Sequence, residues 1–146
     1  MATLYDLDFH AWTVEQSQRL RSGSQDFDAA NIAEEIEALG RAERQQLINR
    51  TAVLVQHMLK VEYQLEKRIS SWDATIKEQR RRVNRLLDEN PSLRPQLANL
   101  IADAYPTAVT FASAETGIVE EDFPLACPYS ELAILNVDLG AQGEKR

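Results

Sequence analysis

Apolar side chains recur at helical spacing through the middle of the chain. Residues 41–90 contain neither glycine nor proline and are rich in helix-forming residues. The apolar stripe of the first half advances by alternating fours and threes and consists of Leu47, Thr51, Leu54, Met58, Val61 and Leu65. This spacing places its members along one face of an α-helix.

A second stripe follows Ser70 and Ser71. It consists of Trp72, Ile76, Gln79, Val83 and Leu86, with Gln79 as its only polar member. One helix through both stripes would be roughly 75 Å long, too long for a compact domain of this size. We therefore expect the chain to turn back at the serines, with Ser70 or Ser71 as N-cap and Asp73 in a capping box. The pattern predicts a central long helical hairpin.

Helices are also predicted before the hairpin. One runs from Leu7 to about Arg21 and ends at Gly23. A second begins at the N-cap Asp28 and places Ile32, Ile36 and Leu39 on one face. Gly40 offers a left-handed C-terminal position that would end this helix.

After the hairpin, Ser92 is a candidate cap for a helix with Pro95 in its first turn. Pro106 predicts a kink or break near residues 102–105, after which the helix continues to Gly117. We expect extended surface chain over 118–128, a short helix over 130–135 and a frayed tail over 136–146. No alternation suited to a sheet is present. The fold class is therefore predicted as all-α, a single-domain bundle of about five helices spanning 1–146.

Composition indicates the cellular compartment in which the chain is expected. It has 146 residues, 44% apolar, a net charge of -7 and one cysteine. One cysteine allows no internal disulfide, which favours a reducing compartment. The first residues lack a signal-peptide pattern, and no apolar run approaches the roughly 20 residues that a membrane span needs. We expect a cytoplasmic protein with no membrane partner.

Charge is unevenly distributed along the chain. Residues 1–40 and 95–146 each carry a net charge of -6, whereas 41–94 carry +5, which suggests that the acidic ends face the basic middle. Lys77, Arg81 and Arg85 share one helical face and offer an RNA-binding alternative. The plainer interpretation is a solvated face paired with neighbouring carboxylates such as Glu78 and Glu89.

Catalytic and metal-binding patterns are weak. Neither His10 nor His57 sits in a Glu-x-x-His motif of the kind used by di-iron bundles, so we predict no metal site and no cofactor. Cys127 lies between Ala126 and Pro128 and is most simply a packed side chain. Glycine-rich phosphate loops and a Gly-x-Ser-x-Gly elbow are absent. An enzyme that depends on a metal or a small molecule is therefore the third hypothesis, after protein binding and RNA binding.

Several local motifs together carry a resemblance to a known family. They are Leu4-Tyr5 with Asp8-Phe9 and Ala11-Trp12, Ala33–Arg41, His57–Lys60, Ser71-Trp72 with Thr75-Ile76 and Gln79-Arg80, Pro91–Leu93, and Phe123-Pro124 with Cys127–Tyr129. In their order and spacing the chain resembles the bacterial Domain of Unknown Function 29 family, common in cyanobacteria. One departure is Val61-Glu62-Tyr63, where an aromatic residue would be expected to follow the lysine. The resemblance implies an all-helical fold and carries no catalytic or ligand role.

The matched motif positions include polar residues that suggest a shared site. A polar residue on an apolar stripe, such as Gln79, is costly to bury unless it is hydrogen-bonded. We therefore hypothesise a buried network of Glu34 or Glu35, His57 and Gln79 or Arg80, serving either structural specificity or a ligand. With no evident chemistry, the sequence favours a non-catalytic protein that binds another protein, as an adaptor or an antitoxin-like partner.

Overall fold

The computed structural model describes residues 1–135, and the fold over this range is all-α, as predicted. Six α-helices occur there: α1 (Leu4–Leu7), α2 (Phe9–Arg21), α3 (Ala29–Tyr63), α4 (Ser70–Glu89), α5 (Leu97–Thr116) and α6 (Glu131–Leu135). Short 3-10 turns occupy Leu65–Lys67, Pro91–Gln96 and Glu120–Asp122. None of the described helices is long and apolar enough to cross a membrane. The predicted frayed tail, 136–146, lies outside the described residues.

The described chain divides into two compact units, Met1–Ala42 and the residues from Glu43 onward. We call them the N-terminal and the C-terminal unit. The sequence-based expectation of a single domain stays a prediction.

In the N-terminal unit the helix predicted from Leu7 begins at Phe9, because Asp8 separates it from the short helix α1, which the sequence did not predict. The Asp8 carboxylate accepts a hydrogen bond from the Ala11 amide at 3.0 Å and so caps α2. Gly23 takes a positive φ of 78° after α2, as its predicted stop role requires. Asp28 caps α3 as predicted, since its Oδ1 accepts from the Asn31 amide at 3.3 Å.

The predicted end at Gly40 is wrong, because α3 continues without interruption to Tyr63. Gly40 does not have a positive φ. A glycine costs only about 1 kcal/mol in a helix interior, and the residues on both sides of it, Ala38, Leu39 and Ala42, favour the helix strongly. The local stop signal is therefore outweighed by its neighbours.

In the C-terminal unit, α3 and α4 contact each other in reverse order along the chain. Asn90 donates to Glu43 at 3.1 Å, and Arg80 approaches the Met58 sulfur at 3.9 Å. The Lys60 ammonium lies 4.6 Å from the centre of the Trp72 ring. This reverse order is that of a helical hairpin.

The start of α4 differs from its prediction. Ile69 occupies the N-cap position, and no side chain caps the helix there, so neither Ser70 nor Ser71 has the predicted role. Instead, Arg68 donates to the Asp73 carboxylate at 2.8 Å across the first turn. Trp72 is half-buried beneath Lys60 rather than a fully buried core residue.

The helix α5 follows the direction of α3. Arg44 donates to Gln96, and further along, Gln64 donates to the carbonyl of Thr116. The Ser92 cap is wrong, since a 3-10 turn occupies this segment and α5 begins at Leu97. The predicted break at Pro106 is also absent, because α5 runs on to Thr116, where Gly117 takes a φ of 79°.

A well-packed core explains why α5 tolerates its proline. Its buried face consists of Leu97, Leu100, Ile101, Ala104, Tyr105, Ala108, Val109 and Ala112. Pro106 itself is exposed, so its ring lies on the solvent side and displaces no core residue. Packing of one whole face thus outweighs the lost backbone hydrogen bond.

The segment between α5 and α6 is folded against this core rather than simply extended on the surface. Phe123 is buried and packs on Tyr63, with ring centres 4.9 Å apart. The Tyr105 hydroxyl donates to the carbonyl of Pro124 at 2.7 Å. The short helix predicted over 130–135 is present as α6.

Candidate functional site

Arg80 is one of the site residues predicted from the sequence, and it forms hydrogen bonds with the C-terminal end of α6. The residue is 3% exposed, and its guanidinium donates to the carbonyls of Ile134 at 2.8 Å and Ala133 at 3.2 Å. Burial lowers its pKa to about 10. Asn84, one turn on, donates to the Leu135 carbonyl at 2.7 Å. A cation and an amide therefore satisfy three carbonyls at a helix C-terminus.

The other predicted site residues of the C-terminal unit have different partners. His57 contacts the Val53 carbonyl through Nδ1 at 2.9 Å, one turn back on its own helix. The Oε1 atom of Gln79 is buried without a hydrogen-bond partner among the described residues. Within the part of the chain that the structure describes, no hydrogen bond joins His57, Gln79 and Arg80 to one another.

A charge centre that the sequence did not reveal joins a buried lysine of α3 to an exposed carboxylate of α5. Lys60 is 6% exposed and donates to the Glu115 carboxylate at 2.6 Å. Gln56 donates to the same carboxylate oxygen at 3.1 Å, and the ammonium faces the Trp72 ring. The hydrogen bond from Lys60 holds the pKa of Glu115 below its ordinary value.

This centre contains two residues from the family-like motifs, Lys60 and Trp72. The acidic partner, Glu115, lies 55 positions along the chain from Lys60, and no local spacing pairs them. The only sequence signal was the apolar face of α3, on which a lysine is unusual.

The basic residues proposed for RNA binding lie on α4, where carboxylates pair with most of them. Arg81 and Arg82 both contact Glu78, and Arg85 pairs with Glu89 at 3.2 Å. The hydrogen bond from Arg82 lowers the pKa of Glu78. Lys77 is exposed. The arrangement is that of an ion-paired helix surface.

Cys127 lines an open cleft of about 500 Å³ between α5 and the segment before α6. The cleft walls include Ile101, Tyr105 and Leu125 and are largely apolar. Burial raises the pKa of the Cys127 thiol, which donates to the Tyr129 carbonyl at 3.8 Å. A protonated thiol is a poor nucleophile, so this geometry does not favour covalent chemistry at neutral pH.

In the N-terminal unit, Glu35 has a partner on α1. The Tyr5 hydroxyl donates to its carboxylate, and this hydrogen bond raises the pKa of Tyr5 to about 12. Tyr5 packs edge-on against Trp12, with ring centres 4.8 Å apart. Glu34 pairs with Arg41 at 3.1 Å on the helix surface. Both candidate glutamates thus have partners within this unit.

The first half of α3 carries an apolar row that is largely uncovered, which we call the α3 stripe: Ile32, Ile36 and Leu39. Ile36 is 62% exposed and Leu39 is 69% exposed. Buried residues of α3 begin only at Leu47. Ile36 and Leu39 are neighbours on one face of the helix, and contiguous apolar side chains left in water are one feature of interaction surfaces.

Among residues 1–135 no group of three or more His, Cys, Asp or Glu side chains is placed to hold a metal ion.

Comparison with known proteins gives one match. The family described as "Domain of unknown function DUF29" matches residues 4–139. No curated protein and no solved structure matches the chain.

Proposed function

We propose that this chain, which belongs to the DUF29 family, is a non-catalytic cytoplasmic module that binds another protein through the α3 stripe. Such a module would act as an adaptor or as an antitoxin-like partner of the protein that it binds. The observation that carries the proposal is the exposure of Ile36 and Leu39 on a helix that is otherwise continuous and well formed.

The energetic argument concerns the cost of leaving these side chains in water. Burial of a leucine or isoleucine side chain contributes about 1.5–3 kcal/mol. Ile36 and Leu39 are three positions apart and lie on the same side of α3, so a partner helix can cover both at once. Covering both side chains removes apolar surface of both partners from water, which is the source of affinity when one helix lies on another.

The RNA-binding and enzymatic alternatives receive less support. Arg81 and Arg85 form exposed ion pairs with Glu78 and Glu89, so these carboxylates offset part of the positive charge of that helix surface. The cleft at Cys127 is lined by Ser130 and Glu131 as well as by apolar side chains, but the raised pKa of the Cys127 thiol disfavours a nucleophilic role there. Retention on RNA that weakens steeply with salt, and is lost when Lys77, Arg81 and Arg85 are neutralised, would favour the first alternative.

Photo-crosslinking in the native host cell tests the proposal. A photoreactive phenylalanine analogue replaces Leu39 in one variant and Gln45 in the control, which is exposed on another face of the same helix. We expect a discrete crosslinked species with the analogue at position 39, and not at position 45. The species should disappear when Ile36→Ser is added. Equal crosslinking from both positions would refute the proposal.

A further inference from the structure

The two units differ sharply in how much apolar surface they bury. In the N-terminal unit, burial among residues 1–42 is confined to Trp12 and Gln16. All other buried apolar residues of the described chain belong to the C-terminal unit, from Leu47 to Ile134. Apolar burial is the main contribution that offsets the conformational entropy lost on folding. The C-terminal unit is therefore the more stable of the two.

The N-terminal unit is held together largely by polar and aromatic contacts. The Tyr5 hydroxyl donates to the Glu35 carboxylate, and the Trp12 indole donates to Asp28 at 3.1 Å. The Asp28 amide donates to the side-chain oxygen of Gln16 at 2.7 Å. The rings of Tyr5 and Trp12 pack edge to face. A unit of 42 residues is close to the lower size limit at which a domain folds alone, so these contacts leave it marginally stable.

Residues 39–42 of α3 form one helical turn that is exposed on all its sides. This turn contains Gly40, and glycine destabilises a helix interior relative to alanine because its backbone loses more entropy on folding. Buried residues of α3 begin only at Leu47. A helical turn without tertiary packing is only marginally stable in water. Unfolding that begins at the N-terminus can therefore stop within α3 at this turn.

We propose that the N-terminal unit unfolds and refolds on its own while the C-terminal unit stays folded, with α3 opening as far as residues 39–42. Local units of this kind open at a lower free energy than the whole chain. Because Ile36 and Leu39 belong to the part of α3 that opens, this conformational switch would control when the α3 stripe is presented on a helix. The switch itself does not depend on the proposed protein-binding function.

The chain has two tryptophans, and each lies in a different unit. The variant Trp72→Phe keeps Trp12 as the fluorescent reporter of the N-terminal unit, and Trp12→Phe keeps Trp72 as that of the C-terminal unit. Urea unfolding of each full-length variant is followed by fluorescence and by far-ultraviolet circular dichroism on the same sample. We expect Trp12 fluorescence in Trp72→Phe to change at lower urea than the main loss of helix. In Trp12→Phe, the Trp72 signal should follow that loss.

Hydrogen exchange within α3 gives an independent measure. The amides of Ile36 and Leu54 belong to the same continuous helix, yet we expect the Ile36 amide to be protected at least about tenfold less. Gly40→Ala adds a methyl group that meets no other atom within 4 Å. It should raise protection at Ile36 about four- to fivefold and leave Leu54 unchanged.

A variant in the other unit provides the matched control. Val83 is fully buried in the C-terminal unit, so Val83→Ala should lower the protection of the Leu54 amide and leave that of Ile36 unchanged. Circular dichroism confirms that each variant is folded before exchange begins.

Coincident fluorescence and circular dichroism transitions in Trp72→Phe, or equal protection at Ile36 and Leu54, would overturn the proposal, because the chain would then unfold as one cooperative unit. Equal responses of the two amides to Gly40→Ala or to Val83→Ala would also overturn it. Crosslinking from position 39 reports on partner binding instead, so the proposed function and the conformational switch can fail separately.

Discussion

Replacing Arg80 with methionine should release α6 from the C-terminal unit. The guanidinium makes two hydrogen bonds to helix-terminal carbonyls, at 2.8 Å and 3.2 Å. Methionine refills most of the side-chain volume but donates no hydrogen bond, so the carbonyls of Ala133 and Ile134 lose their charged partner.

The expected magnitude follows from two opposing contributions. A hydrogen bond from a charged donor contributes about 1.5–3 kcal/mol to stability. Burial of the guanidinium away from a carboxylate is costly, as the lowered pKa of about 10 shows, and removal of the charge returns part of that cost. We expect Arg80→Met to lower the free energy of unfolding by about 2–4 kcal/mol, which corresponds to a fall in Tm of roughly 5–12 °C.

The control lies one residue further along the same helix. Arg81 is 62% accessible in its side chain and pairs only with Glu78, so Arg81→Met should cost no more than about 0.5 kcal/mol. Urea unfolding followed by circular dichroism gives both values. Hydrogen exchange adds a local measure, since the Ile134 amide of α6 donates to the carbonyl of Ser130, just before the helix, and should exchange faster in Arg80→Met. Losses for the two variants within about 0.5 kcal/mol of each other, or unchanged exchange in α6, would refute the reasoning.

Three further predictions concern the charge centre, the N-cap of α3 and the proline of α5. Because the folded-state pKa of Glu115 is depressed by Lys60, the pair stabilises the fold above the ordinary carboxylate pKa and loses this contribution as pH falls through the depressed value. In Glu115→Gln the free energy of unfolding should therefore fall less steeply as the pH is lowered. Urea unfolding at a series of acidic pH values measures this slope. Asp28→Ala removes the cap of α3 and the acceptor of the Trp12 indole at 3.1 Å, and should cost about 1–2 kcal/mol in thermal or urea unfolding. Pro106→Ala restores a helical hydrogen bond on an exposed face and should stabilise the protein by about 1–2 kcal/mol.

Each of these predictions has a control and a contrary result. Glu121→Gln should leave the acid profile unchanged, and a parallel profile for Glu115→Gln would show that the Lys60 pair does not contribute. Asp26→Ala, at a side chain that is 92% accessible, should cost little, and an equal loss would remove the capping argument. A destabilised Pro106→Ala variant would mean that the proline ring itself contributes to α5.

Much of the helical pattern follows from local properties of the chain. Asp28 caps α3 because its short carboxylate reaches an amide three residues on, and Gly117 ends α5 because it accepts a positive φ without a steric cost. The hairpin likewise follows from the length of the glycine-free segment and the spacing of its apolar residues. The two caps depend on neighbours within one helical turn, and the hairpin depends on the apolar pattern over residues 41–90.

The roles of individual polar residues could not be read in this way. Arg80, Arg81 and Arg82 are consecutive in sequence, yet Arg80 is buried against α6 and the other two are exposed. Lys60 and Glu115 form their ion pair only because α3 and α5 pack together. Ile36 and Leu47 belong to the same continuous helix, but only Leu47 meets a core. The spacing of apolar residues identifies which face of a helix can be buried, but which distant element covers that face is decided only by tertiary packing.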